Sequence, residues 1–313
     1  MPWQRLLAHS PRLPVAALPD WFASLLQLCP GASAFELAVV GGCRAETPGL
    51  AFLAGYQGAL RALWPAAPAS LGALCVTENR SVRPADMTTR LDGLLLNGCK
   101  DFVTAGDAAD WLLVSAREEA PGQSPRLALA LVRNGEAGIR VENLPALPLM
   151  PDIAHARLQL HAAPCERLAG DGWDDYVKPF RSIEDLHLLA ALTAWQYGLA
   201  RECGWPQALQ LRLLGLLCGC AEVARQNPSS AVTHVLLAGL FAQQQALKPE
   251  LDAAFGAGPE HWARLWQRDQ GLLALASSAH AKRLQKALVC SWADSALLQP
   301  DTGSVFVAFQ CLQ

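Results

Sequence analysis

Hydrophobic periodicity changes twice along this chain of 313 residues, and that double change restricts its architecture more than any single motif. Over residues 1–70 apolar residues recur at helical spacing, broken by prolines. The spacing predicts a short helix capped by Asp20 and running to Leu28, before Cys29-Pro30-Gly31. It predicts a second from Leu50 to Trp64, where Leu50, Leu53, Ala54, Gln57, Leu60 and Trp64 share a face and Pro65 is the stop. Over residues 71–172 the period drops to that of strands, with short Val-, Leu- and Ile-rich runs at 73–77, 94–96, 101–104, 111–116, 127–132, 139–144 and 156–160. Turn signals separate them: Asp92-Gly93, Asn97-Gly98, Ala105-Gly106, Pro121-Gly122, Asn134-Gly135 and the proline-rich 145–151. Such spacing predicts an antiparallel barrel or sandwich. No glycine-rich phosphate loop follows a strand, which disfavours a dinucleotide-binding βαβ fold. Helical spacing then returns over 173–313, predicting four helices at 176–200, 206–226, 229–247 and 259–296. The expectation is an α+β protein in three parts: a short helical N-terminal segment (1–70), a central antiparallel β-barrel (71–172) and a C-terminal four-helix bundle (173–313).

Composition removes several classes of function. Net charge is −3 and only 17% of residues are charged, with no basic stripe, so nucleic-acid binding is not expected. The longest candidate span, Leu213 to Ala221, is far below the roughly 20 apolar residues that cross a bilayer. Prolines interrupt the N-terminus where a signal peptide needs a continuous apolar core. The reading is a soluble, cytoplasmic protein. With 52% hydrophobic residues, some apolar surface is expected in a subunit interface. The ten cysteines are scattered, and the one close pair, Cys218 and Cys220, stands at i and i+2 on a helix, on different faces. His155 and His161 lie in a strand region without a Cys or carboxylate cluster. No metal site is expected.

Two segments carry a specific resemblance. Leu74-Cys75-Val76-Thr77-Glu78 resembles the C-V-T-E-P strand of the acyl-CoA dehydrogenases, with Asn79 in place of proline. Leu96-Asn97-Gly98-Cys99-Lys100-Asp101-Phe102-Val103-Thr104, followed by Ala108-Ala109-Asp110-Trp111, resembles that family's L-N-G-x-K-x-[FW]-I-T and A-D strand pair. The likeness spans about 71 to 170, continues loosely through the C-terminal helices and fades before residue 50, where the helical domain is shortened. It implies an FAD-dependent oxidoreductase acting on the CH–CH bond of an acyl-CoA or other acyl thioester in fatty-acid metabolism. It also implies a homodimer or larger homo-oligomer paired through the bundle, and an electron-transfer protein as acceptor. Phe102 would pack on the flavin ring face, with Leu74, Val76, Thr77 and Thr104 around its rim; the alternative is that Phe102 fills core and the threonines are ordinary strand residues.

The sequence departs from the family in places that matter chemically. The G-S-D loop that grips the flavin pyrophosphate is replaced by Arg80-Ser81-Val82-Arg83-Pro84-Ala85-Asp86, whose two arginines offer another way to meet phosphate. The R-x-x-F-G element is distorted into Arg201-Glu202-Cys203-Gly204-Trp205, and the Q-x-x-G-G loop into Gln299-Pro300-Asp301-Thr302-Gly303. Proton abstraction next to a thioester carbonyl needs a desolvated carboxylate. Arg268-Asp269 resembles the pair that precedes the usual base, yet Gln270 to Ala293 contains neither Asp nor Glu. Some members carry the base on the first bundle helix, and overlaying that helix puts Asp185 at the base position with Glu184 one residue away. Two classes of function follow: a flavoenzyme, or a catalytically degenerate homologue serving as a binding or assembly subunit.

Overall fold

The computed structural model describes residues 3–8, 11–119 and 126–297. Four helices precede the sheet: α1 (Trp3–Leu7), α2 (Leu18–Leu28), α3 (Ala34–Arg44) and α4 (Pro48–Leu63). Helix α2 starts two residues before Asp20, because Pro19 suits the first helical turn; Asp20 sits inside that turn and caps nothing. Helix α3 was not anticipated, although Ser33 and Glu36 form a capping box that the sequence displays. Helix α4 is capped by Thr47, whose hydroxyl accepts from the Leu50 N–H, and it ends ahead of Pro65 as expected.

The central sheet contains β1 (Gly72–Cys75), β2 (Arg90–Asp92), β3 (Leu95–Thr104), β4 (Trp111–Glu118), β5 (Arg126–Arg133), β6 (Ile139–Asn143), β7 (His155–Pro164) and β8 (Glu166–Arg167). It is a curled sheet in the order β6-β7-β3-β2-β4-β5-β8, with β1 added beside β4. Pairing is antiparallel except that β1 and β2 each run parallel to β4. Two predicted runs, 94–96 and 101–104, are one strand. Asn97-Gly98 makes a bulge in β3 instead of a turn, and the hairpin turn falls at Gly93. Gly98 has φ +144, and a Cβ there would lie 2.6 Å from the Thr89 Cα, so the bulge requires glycine. The predicted Pro121-Gly122 turn and the Gln299–Gly303 stretch lie outside the described residues.

A π-helical turn over Gly172–Val177 leads into α5 (Lys178–Glu202), followed by α6 (Gln207–Val223), α7 (Ala231–Gly256), α8 (Glu260–Asp269) and α9 (Ser277–Leu297). The predicted last helix is therefore two, broken at Gln270-Gly271, so the bundle has five helices among the described residues rather than four. Helix α5 is its axis. It packs against α3 so closely that a Cβ on Gly42 would stand 2.1 Å from the Ala191 carbonyl oxygen. Apolar side chains from the N-terminal helices, the sheet and α5–α7 form one continuous core. No helix among the described residues is long and apolar enough to cross a membrane.

Candidate functional site

The two motif strands meet. The Asp101 N–H donates to the Thr77 carbonyl at 2.8 Å, which sets the end of β1 beside the middle of β3. A second bulge between Lys100 and Val103 shifts the register there. Both of those side chains point inward and Phe102, between them, stays 45% exposed. Bulges beside functional sites re-aim side chains in this way. Phe102 is therefore not core filling. Leu74, Val76, Thr77 and Thr104 are half-buried around the same corner.

Helix α4 contributes a residue that sequence reasoning missed. The buried Tyr56 phenol oxygen accepts from the Leu74 N–H at 2.8 Å, and the Thr104 hydroxyl faces it too. Its ring packs edge-on against Phe180 of α5, centroids 5.9 Å apart. Burial, and after it the negative charge of nearby Glu184, raise the proton affinity of the phenol. Tyr56 thus joins α4, β1, β3 and α5 at one point. Its position within the predicted 50–64 helix was legible; its contacts were not.

The neighbouring carboxylates Glu184 and Asp185 point to different surroundings. Glu184 is half-buried by surface area but surrounded by protein, and desolvation, reinforced by Asp185, pushes its pKa up to about 8 against the opposing pull of Arg283 and Arg181. Asp185 faces α9. One of its oxygens contacts the Arg283 guanidinium and lies 2.9 Å from His280 Nε2, and its side chain is 9% exposed. Arg181, one turn before the pair, lies over the Trp173 ring at 5.3 Å. Beyond His280 a cavity of about 500 Å³ opens between α5, α7 and the α8–α9 connection, walled by Leu192, Trp195, Phe241, Trp266 and Leu272.

The remaining motif residues are structural or free. Asp269 is buried, bound by Arg268 and by the Met150 N–H at 2.9 Å, so the Arg-Asp pair clasps the loop between β6 and β7. Arg201 donates to the backbone carbonyls of Leu6 and Leu7. Arg80 and Arg83 are exposed, and neither guanidinium forms an ion pair among the described residues. His155 is buried with Nδ1 3.0 Å from the Ile153 carbonyl. Cys218 is exposed and Cys220 buried, on different faces as the spacing requires.

No protein-family model matches the sequence, and no curated protein matches it. Solved structures do. FkbI, described as acting in biosynthesis of the methoxymalonyl extender unit of a polyketide immunosuppressant, is 19% identical with a TM-score of 0.61, over 92% of this chain and 94% of that one. Butyryl-CoA dehydrogenase from Megasphaera elsdenii is 14% identical with a TM-score of 0.62, over 86% and 90%. FMN-bound TdsC from a Paenibacillus species is 17% identical with a TM-score of 0.56, over 83% and 79%. The chain has the acyl-CoA dehydrogenase fold.

Proposed function

We propose that the chain is a flavin-dependent oxidoreductase that oxidises the CH–CH bond of an acyl thioester, with Glu184 as the base. One observation carries this reading: Glu184, a carboxyl that desolvation pushes up to about 8, lies near the Tyr56 phenol, which itself meets Thr104 and the Leu74 N–H on the strands that carry the exposed Phe102. An exposed aromatic ring with hydroxyls and strand-end backbone around it suits a flat apolar ring with a polar rim, so the residues fit a flavin. Phe102 would cover its face, and Leu74, Val76, Thr77 and Thr104 its edge. Bound there, a flavin supplies the two-electron acceptor for a hydride leaving the β-carbon.

Glu184 removes the proton from the α-carbon, and its raised proton affinity keeps it near the working range of a general base at neutral pH. Asp185 is held by Arg283, with His280 alongside; it braces α5 against α9 and lifts the proton affinity of Glu184. Of the two candidate bases, this geometry favours Glu184. Arg80 and Arg83, exposed and without an ion pair among the described residues, are suited to a second phosphate, which favours FAD over FMN. Exposed Leu211, Val232 and Leu236 on α6 and α7 support pairing of two copies through the bundle. The resemblance adds an electron-transfer protein as partner.

The reading is tested by anaerobic bleaching of the flavin-loaded protein with a panel of acyl-CoA thioesters. Bleaching that is lost in Glu184→Gln and retained in Asp185→Asn supports it. Fast bleaching that survives Glu184→Gln overturns the base assignment. The binding-subunit alternative draws on Arg201, whose guanidinium is committed to the N-terminal backbone; a flavin-loaded protein that no thioester bleaches would favour it.

A further inference from the structure

We propose that Lys100, with Glu78, is a positioning device that holds the flavin-facing segment 76–89 in shape from beneath. The inference rests on the flavin reading above for its functional half alone. Lys100 is fully buried, as is Glu78 at 1% exposure, and the two charges come from the two motif segments. The ammonium lies 2.5 Å from Glu78 Oε1, 3.3 Å from Ser115 Oγ and 3.4 Å from the Val76 carbonyl. Glu78 accepts in turn from the Thr88 N–H at 2.6 Å, the Thr88 hydroxyl at 2.7 Å and the Thr89 N–H at 3.2 Å. One buried pair therefore fixes both ends of the loop that replaces the glycine-containing one.

The pair anchors one end of a tight turn, closed by mutual backbone hydrogen bonds between Glu78 and Ser81 at 2.9 and 2.8 Å. Asn79 and Arg80 are consecutive left-handed residues, with φ +49 and +62 and neither of them glycine. Such conformations persist where the surroundings over-determine them. Here the Arg80 N–H is additionally bound by Asp101 at 2.8 Å. A buried ion pair adds little net stability compared with an apolar filling, because desolvating both charges offsets their attraction. Its use is geometric: it specifies where the Val76 carbonyl and the Thr77 edge stand.

Lys100→Met alone strands the Glu78 charge and is expected to unfold the chain. The informative protein is Lys100→Met/Glu78→Gln, in which no charge is buried and an amide oxygen still accepts from Thr88 and Thr89. Its urea midpoint is expected to stay near that of the wild type. Hydrogen exchange over 76–89 in the flavin-free protein should accelerate, and the FAD dissociation constant should rise about tenfold, the scale of one lost charge-assisted hydrogen bond. A folded double variant with unchanged exchange overturns the proposal, and so does faster exchange with unchanged FAD affinity. A wild type that binds no flavin sinks the flavin reading, while the exchange measurement still decides the clamp.

Discussion

Glu184→Gln should make the protein more stable, by an amount that grows with pH. Desolvation raises the Glu184 pKa from an ordinary 4.5 to about 8. Below pH 4.5 the carboxyl is protonated in both folded and unfolded chains and contributes no pH dependence. Between 4.5 and 8 the unfolded chain releases the proton and the folded chain keeps it, so stability is lost as pH rises through this window. Each pH unit costs roughly 1.4 kcal/mol, which amounts to about 3 kcal/mol at pH 7 and levels off above pH 8. A neutral amide of the same shape removes this penalty. Urea unfolding of both proteins at pH 4.5, 6, 7 and 8.5 measures the difference directly. The variant should gain little at pH 4.5 and about 3–5 kcal/mol at pH 8.5, the lower end allowing for side-chain relaxation. A stability difference that is flat with pH, or a variant less stable at pH 8.5, would refute the claim that Glu184 is desolvated in the native protein.

Other outcomes follow from the same geometry. Asp185→Asn leaves Arg283 and His280 without their carboxylate and should cost roughly 3 kcal/mol in urea unfolding. By removing a negative neighbour it should also move the Glu184 titration to lower pH, as read from the stability profile. Phe102→Ala should alter stability by no more than about 1 kcal/mol, since the ring is exposed, yet weaken flavin binding in a fluorescence titration. A large stability loss with unchanged binding would return Phe102 to the core. Sedimentation at micromolar concentration should find at least a dimer, and Leu236→Glu should shift it toward monomer.

The fold was legible because its period changes are large. Runs such as Trp111–Ala116, buried along their whole length in β4, announce themselves by being almost wholly apolar between turn signals. Asn97-Gly98 misled because a turn and a bulge demand the same glycine; only the pairing of β3 with β7 separates them. The break at Gln270-Gly271 was hidden by the helix formers on both sides. Of the site, the strand positions were accessible from the motifs, as was the proximity of Glu184 and Asp185. Which of the two faces the sheet depends on the rotation of α5, which packing against α3 and α4 sets and no local pattern encodes. Tyr56 and Lys100 read as an ordinary helix residue and an ordinary strand residue, because their roles arise from contacts across long stretches of chain. Lys100 and Glu78, each charged at an inward position of a motif segment, were the available signal for the pair.

The function proposed for this chain depends on a flavin bound at the corner formed by Thr77, Phe102 and Thr104. The most direct test is the flavin content of freshly purified protein, released by denaturation and measured by its absorbance near ~450 nm. Close to one flavin for each chain is expected, or full loading after incubation with FAD. Protein that is colourless as purified and takes up neither FAD nor FMN would contradict it.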